Sequence, residues 1–132
     1  MIEIYWEKSM SKLREHLLSL EKILNCEEHS FCSETKSIPL NAGVYIILNY
    51  SRIPIYIGRT SNLRRRLFRD HRSGNVDGSV FRKALSTKLR IQDEKELRSY
   101  IEKNCSFKYL RLKNTHNFEH FAISVLSPEL NN

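Results

Sequence analysis

The stretch that decides the fold is Gly43-Val-Tyr-Ile-Ile-Leu48, which is followed after a short polar gap by Ile53-Pro-Ile-Tyr-Ile57. Both segments are rich in β-branched and aromatic residues, which predicts two strands. Asn49–Arg52 has the length of a four-residue hairpin loop. Pro54 has no backbone N–H to donate, so we expect it near a strand start or on a sheet edge. The segment therefore predicts an antiparallel hairpin.

A four-residue loop over 49–52 would pair Leu48 with Ile53 and would place Tyr45 directly opposite Tyr56. Directly opposed side chains share one face of a sheet, so two phenols would project together from the hairpin. The pair can be read as part of a functional site or as an aromatic cross-strand contact that stabilises the sheet. The residues of the hairpin leave both interpretations open.

The rest of the chain alternates between helical and strand patterns. An apolar stripe from Trp6 to Leu24 predicts an N-terminal helix whose role is packing, and the polar segment 25–37 predicts a linker loop. Further helices are predicted over 61–72, 79–89, 93–103 and 117–126, and a third strand over 106–112. The predicted fold is a small α+β domain over 38–132, with a three-stranded antiparallel sheet flanked by helices, and it is preceded by the N-terminal helix and linker over 1–37.

The positive charge is concentrated in the middle of the sequence. The chain has a formal net charge of +7, and 11 of its 22 basic residues lie within 42–92, where only 2 acidic residues occur. A basic region of this kind is the electrostatic footprint of a polyanion such as nucleic acid. The alternative is a solvated, arginine-rich helix face.

Several classes of protein are disfavoured by composition. No run of about 18 apolar residues occurs, so we expect no membrane span, and the first residues lack the order of a secretory signal. The three cysteines, Cys26, Cys32 and Cys105, are an odd number, which favours reduced thiols and a cytoplasmic protein. Cys26, His29 and Cys32 could hold zinc, but a tetrahedral structural site needs four ligands.

A phosphate-binding site is predicted where the second strand ends. Gly58 and Arg59 directly precede a helix start, with Ser61 or Asn62 as the cap, and the N-terminus of a helix attracts anions. The predicted helix carries a series of guanidinium groups that suit phosphate. Arg66 is the candidate for the site itself, and the others are candidate nucleic-acid contacts or solvated charges: Arg64, Arg65, Arg69 and Arg72.

These residues resemble a known family. Gly43-Val44-Tyr45, separated by ten residues from Tyr56-Ile57-Gly58, is similar to the paired signature of the GIY-YIG nucleases. The similarity continues through Arg59–Leu67, where Arg66 matches the family's arginine, and reaches Glu119 and Asn131 near the end of the chain. It covers about residues 38–132.

The resemblance implies one divalent cation, Mg²⁺ or Mn²⁺, held by Glu119 with water and phosphate completing the shell. The metal would act as a Lewis acid on the phosphate and on the leaving oxygen. Tyr45 would be the general base toward the attacking water. A free tyrosine has a pKa near 10, so cationic neighbours such as Arg59, Arg66 or the metal would have to lower that value. Tyr56 would position the water or the phosphate, and its hydroxyl could share the base role.

The remaining catalytic roles also come from the resemblance. Arg66 would neutralise charge that develops on the phosphate. Arg59 stands where relatives often have lysine and would do similar work. Asn131, which matches the family's terminal asparagine, would order the site through hydrogen bonds.

One position departs from the family pattern. Relatives usually have histidine or tyrosine four residues after the helix arginine, but here that residue is Asp70, and His71 follows it. In an α-helix Asp70 would pair with Arg66, and His71 would point about 100° away. Either the helix start is shifted, or His71 reaches round, or another group such as His116 or His120 takes this role.

The expected function is that of a metal-dependent endonuclease that hydrolyses phosphodiester bonds in DNA, with structure-selective or weakly sequence-specific cleavage. Because no separate DNA-reading motif occurs, homodimerisation or a partner protein would supply specificity. The first alternative is a catalytically weak nucleic-acid-binding module on the same scaffold. The second is an interaction domain whose basic helix binds an acidic protein.

Overall fold

The computed structural model describes residues 1–131. The sheet is antiparallel throughout and has the strand order β1-β4-β2-β3. The elements are α1 (Ile2–Asn25), β1 (His29–Ser30), β2 (Gly43–Leu48), β3 (Pro54–Thr60), a π-helix (Arg65–Arg72), α2 (Val80–Leu89), α3 (Glu94–Asn104), β4 (Ser106–Arg111) and α4 (Thr115–Leu126), with 3₁₀ turns at Thr35–Ser37 and Glu129–Asn131.

The predicted α+β class and the antiparallel sheet are confirmed, but the sheet has four strands and not three. The additional strand is β1, which lies in the segment predicted to be a linker loop and pairs His29 with Phe107 and Ser30 with Ser106. Its two residues are polar and too few to show an alternating pattern. The His29 ring stacks on Phe107 and Tyr109, so tertiary contacts hold this short strand in place.

The central strand β2 is buried on both faces, because helices cover both sides of the sheet. All six residues of β2 are buried. Tyr45 and Ile47 face a core shared with the π-helix, α2 and α3. Val44, Ile46 and Leu48 face a second core. The second core also contains residues of the flanking helices: Leu20, Ile23, Phe118 and Ala122.

Within the domain, the predicted packing role of the apolar stripe of α1 is wrong for the part from Trp6 to Leu17. Leu20 and Ile23 are buried against the sheet, but the Trp6 side chain is 66% exposed and Leu17 is 50% exposed. The sheet and α4 reach only the C-terminal turns of the helix. Phe31, from the following segment, is fully buried in the first core.

The hairpin register differs from the predicted one. Asn49 N–H donates to the Ile53 carbonyl, and Arg52 adopts a left-handed conformation with φ 62°. The register then shifts next to Leu48, so that Tyr45 pairs with Gly58 and Tyr56 pairs with Ile47. The expectation of directly opposed tyrosines is therefore wrong. The two phenols are diagonal neighbours on one face, with ring centroids 6.3 Å apart.

The zinc alternative has no support in the described part of the chain. The Cys26 thiol donates to the Ile23 carbonyl, and residues 1–131 hold no group of three or more potential ligands that could bind a metal on their own. All three cysteines are free thiols. Within the same residues, no helix combines the length and the apolar character needed to cross a membrane.

Gly58 is required by the close approach of Tyr45. A Cβ atom at position 58 would collide with the phenol oxygen and ring of Tyr45. We expect Gly58→Ala to destabilise the protein by about 1–3 kcal/mol, the usual cost of overpacking a core. Chemical denaturation measures this. Gly78→Ala is the matched control, because a Cβ there would meet only Asn75 Oδ1 at 3.6 Å, and equal stability losses in the two variants would contradict the prediction.

Candidate active site

The site is centred on the phenol of Tyr45. The side chain is 1% exposed and crosses over Gly58 on the neighbouring strand. Its hydroxyl lies 2.6 Å from His71 Nε2. Tyr56, on the same sheet face, contacts the His71 ring edge-on at a centroid distance of 5.8 Å. The hairpin and the following helix thus bring two phenols and an imidazole together.

His71 reaches Tyr45 because the helix that carries it is a π-helix. Ser73 N–H donates to the carbonyl of Phe68, five residues earlier, as expected for π-helical geometry. In such a helix residues five apart lie on one face, so His71 shares a face with Arg66. Asp70 pairs with Arg66, with Oδ2 3.1 Å from Nη1. Of the three explanations left open for the displaced histidine, the structure supports the one in which His71 reaches round.

The start of this helix is fixed by Asn62. Its Oδ1 accepts a hydrogen bond from Arg65 N–H at 3.1 Å, and Asn62 N–H donates to the Thr60 hydroxyl. Of the two predicted caps, the structure therefore uses Asn62. Because Thr60 is the last residue of β3, these contacts connect the strand that carries Gly58 directly to the helix that carries Arg66 and His71.

The N-cap and first turn of α2 fix the position of His71 through two residues, and the sequence did not predict either role. Ser79 Oγ lies 2.6 Å from His71 Nδ1, and it accepts a hydrogen bond from Arg82 N–H as the helix cap. The fully buried Arg82 guanidinium donates to the backbone carbonyls of His71 and Arg72. The signal for Ser79 was its place at a helix N-cap, but nothing in the sequence linked it to His71.

These contacts select one tautomer of His71. A hydroxyl has a single proton, and the oxygen of Ser79 already accepts from Arg82 N–H. A buried O–H without an acceptor costs free energy, so the Ser79 proton is directed at His71 Nδ1. The ring proton of His71 then lies on Nε2 and is donated to the Tyr45 oxygen. The proton of Tyr45 is left free to point into the neighbouring cleft.

Burial dominates the electrostatics of these three rings. Burial, followed by the positive charges of Arg66 and Arg82, lowers the pKa of His71 well below its usual range, so the ring is neutral at pH 7. Burial, followed by Tyr56, raises the pKa of Tyr45, although Arg66 lowers it. Burial also raises the pKa of Tyr56. Burial outweighs Arg66, so this guanidinium alone does not supply the decrease of the Tyr45 pKa that a base role requires.

Glu119 approaches the same region from the other side of the sheet. It lies on α4, and its Oε1 is 3.2 Å from Nε of Arg59 on β3. The Glu119 side chain is 15% exposed, whereas that of Arg59 is 47% exposed. Because Gly58 has no side chain, the phenol of Tyr45 occupies the space beside β3 where a side chain at position 58 would lie.

The resulting cleft has a volume of about 620 Å³. It brings together five of the predicted catalytic residues, since Tyr45, Tyr56, Arg59, Arg66 and Glu119 all line it. His71 is not among the lining residues but contacts the hydroxyl of Tyr45. Gly58, from the predicted phosphate-binding turn, and Ser61, one of the predicted caps, also line the cleft. Sequence reasoning missed the remaining lining residues: Ala42, Thr60, Lys113 and Thr115.

Asn131 does not line this cleft. Its side-chain amide donates to the Ile57 carbonyl and accepts from Ile57 N–H, both at 2.8 Å. Because β3 is an edge strand, Asn131 occupies backbone groups that would otherwise lack a strand partner. This placement is consistent with the expected ordering role and gives the residue no contact with the cleft.

The other candidate residues differ in exposure. Arg64 Nε donates to the Ile38 carbonyl at 2.7 Å, and Arg72 Nη1 donates to the Phe31 carbonyl at 3.1 Å. Arg65 and Arg69 are exposed. On α4, two exposed histidines lie against each other and are not among the cleft residues: His116 and His120.

Taken together, the fold and site define a small α+β domain with a cationic, tyrosine-lined cleft at the end of an antiparallel sheet. The model of the GIY-YIG catalytic domain matches residues 41–128. This match covers more than half of the chain, and the protein belongs to the GIY-YIG family of nucleases. No curated protein matches the chain.

The state of His71 can be tested without an activity assay. We expect nitrogen NMR shifts to show a neutral ring protonated on Nε2, down to about pH 5.5, where an ordinary histidine would be mostly charged. Ser79→Ala should remove the hydrogen bond to Nδ1 and produce a mixture of the two His71 tautomers. Ser79→Thr should preserve the form protonated on Nε2. A proton on Nδ1 in the unmodified protein, or a charged ring at pH 6, would contradict the assignment.

Proposed function

We propose that the protein is a divalent-metal-dependent endonuclease that hydrolyses phosphodiester bonds in DNA, with structure-selective or weakly sequence-specific cleavage. The observation that carries the proposal is the convergence of Tyr45, Arg66 and Glu119 on one cleft, with neutral His71 bonded to the Tyr45 oxygen. These groups correspond to a base, an anion-stabilising cation and a carboxylate ligand.

The residues present fit a hard divalent cation bound together with substrate. Magnesium is commonly held by one or two carboxylates, with substrate phosphate and water as further ligands. Glu119 supplies a carboxylate in the cleft, and the hydroxyls of Thr115 and Ser61 lie in the same lining. When bound, Mg²⁺ or Mn²⁺ would supply Lewis-acid stabilisation of the phosphate and the leaving oxygen.

Tyr45 is proposed as the general base. Its oxygen accepts the His71 Nε2 proton in the inferred tautomer, so His71 stabilises the phenolate by hydrogen bonding. Arg66 favours the same charge state. The phenolate would take a proton from the attacking water, and Tyr56, on the adjoining surface, would position that water or the phosphate. Because His71 is held neutral, the Tyr45 proton leaves through the cleft and does not pass to the imidazole.

The cations around the cleft are proposed to bind the phosphodiester. Arg66 would stabilise charge at the reacting phosphate, and Arg59 would turn from Glu119 toward phosphate when a cation takes the carboxylate. Lys113 adds a further positive charge to the lining. Arg65 and Arg69 are the exposed candidates for contacts with the rest of the DNA backbone, which position nucleic acid without reading its sequence.

The alternative is a nucleic-acid-binding module with weak catalysis. The observation that favours it is the raised pKa of Tyr45, since a protonated phenol cannot act as a base at neutral pH. Specificity in either case is proposed to come from a homodimer or a partner protein. The free thiols accord with the expected cytoplasmic location, which stays a prediction.

Metal-dependent cleavage of DNA is the first test. Purified protein should nick supercoiled plasmid or a branched DNA with Mg²⁺ and not with EDTA. Glu119→Ala and Tyr45→Phe should each lower the nicking rate by about 10²–10⁴-fold, as expected for loss of a metal ligand or a base.

Two control variants separate the proposed roles of Tyr45 and Glu119 from the general effect of losing a phenol hydroxyl or a carboxylate. Tyr50→Phe alters a phenol that is 76% exposed in the hairpin loop, and Glu129→Ala removes an exposed carboxylate that pairs with Lys88. Both should leave nicking unchanged. Salt-sensitive binding with no cleavage under any of these conditions would favour the binding module over the nuclease.

The pH dependence tests Tyr45 as the base. Because burial raises its pKa, only a small fraction is deprotonated at pH 7, and that fraction grows about tenfold for each pH unit. We therefore expect the single-turnover rate to rise about tenfold per unit from roughly pH 7 to 9. His71→Ala should move the plateau to higher pH. A rate that is independent of pH over this range would exclude Tyr45 as the base.

A further inference from the structure

The N-terminal half of α1 extends beyond the core with an uncovered apolar face. Ile2 is 83% exposed, Tyr5 64% and Trp6 66%, and Leu13 and Leu17 are also exposed. The residues that attach the helix to the domain lie further along. Among them, Leu20 and Ile23 are buried, and the His16 ring stacks on Phe121 at 5.2 Å.

The uncovered residues continue a heptad seam. Along α1, apolar side chains recur at alternating spacings of four and three residues, which is the a/d pattern of a helix that packs against another helix. Of the seam residues, only Leu20 is buried in the protein's own core, and Leu24 is 38% exposed. The seam consists of Trp6, Met10, Leu13, Leu17, Leu20 and Leu24.

The first turns of α1 also lack local stabilisation. The helix has no side-chain cap at its N-terminus, and most helical stability in proteins comes from packing of an apolar face. The exposed apolar side chains of residues 2–17 are therefore the face that a packing partner would cover.

Charge beside the seam favours a second copy of the same chain in the antiparallel orientation. Glu7 and Arg14 are both exposed and lie seven residues apart, next to the seam on the side away from the domain. If Trp6 packs opposite Leu17 of a second copy, Glu7 lies beside Arg14 of that copy, and the reverse pair also forms. In a parallel pair in register, Glu7 and Arg14 would instead lie opposite Ile2 and Ser9 of the second copy, so neither charge would be paired.

We propose that two copies of this protein associate through antiparallel packing of residues 2–17 of α1. Trp6 and Tyr5 can each bury roughly 150–250 Å². With the aliphatic side chains of both copies, the contact reaches the order of 1,000 Å² that a biological interface requires. The association does not depend on catalysis, since no residue of α1 lines the cleft.

Sedimentation equilibrium or light scattering tests the dimer directly. We expect the full chain to be dimeric at micromolar concentration. Trp6→Glu and Leu13→Glu should each raise the dissociation constant by roughly 30-fold or more, as for interface hot spots. Ile4→Glu is the matched control, because Ile4 is 54% exposed but lies about 160° around the helix from Trp6, and it should leave the dimer intact.

A charge exchange tests the orientation and the identity of the partner. Glu7→Arg alone and Arg14→Glu alone should each weaken self-association, because each places like charges in both contacts. An equimolar mixture of the two variants should form a heterodimer with complementary pairs. Circular dichroism confirms that each variant is folded.

Two results would overturn the proposal. One is a monomeric parent protein at concentrations of about 100 μM, well above a micromolar dissociation constant. The other is a dimer that withstands Trp6→Glu and Leu13→Glu. Because mass is measured directly, a protein that fails to dimerise but still nicks DNA would reject this inference alone, and a dimer without cleavage would reject only the proposed function.

Discussion

The hydrogen bond between the Tyr45 hydroxyl and His71 Nε2, at 2.6 Å, is the interaction on which the site depends. It joins a central strand to a helix that follows two elements later. It forms only because Gly58 lets the phenol cross the adjacent strand and because the π-helix turns His71 inward. In an ordinary α-helix the imidazole would point away from the sheet, and Tyr45 would have no partner in the core.

The π-helix is held by contacts outside itself. Arg82 binds the last carbonyl groups of the helix, which are groups that a helix end leaves without internal partners. Asn62 caps its start. Asp70, at the position where relatives usually have the ring, pairs with Arg66 and keeps that guanidinium beside the cleft. The π-helix therefore accommodates one additional residue between Arg66 and the ring. Arg66 and His71 still face the site, because Asn62, Asp70 and Arg82 each hold one part of the wider turn.

The sequence predicted the helices and the main strands, because periodicity and caps are local signals, and the family resemblance supplied five catalytic candidates that line the cleft. Strand register was missed, since it depends on the left-handed residue Arg52 and on a shift beside Leu48, which composition does not encode. Strand β1 was missed because a strand of two residues is too short to show an alternating pattern of polar and apolar side chains. Ser79 and Arg82 were missed because their roles arise from tertiary contacts with His71. The exposed part of α1 was predicted to be a packing surface because of its apolar stripe. Such a stripe shows where apolar residues lie on a helix, but it does not show what packs against them.

The burial that fixes Tyr45 also sets the electrostatic requirements of the cleft. Burial raises the pKa of its hydroxyl, and Glu119 raises it further, whereas Arg66 lowers it. A bound phosphodiester would add another negative charge and oppose phenolate formation in the same way. Base catalysis by Tyr45 therefore requires more positive charge near the substrate than Arg66 alone supplies. Arg59 and Lys113 provide part of it. A divalent cation at Glu119 would neutralise both the carboxylate and the phosphate, so the position of the phenol supports the proposed metal dependence.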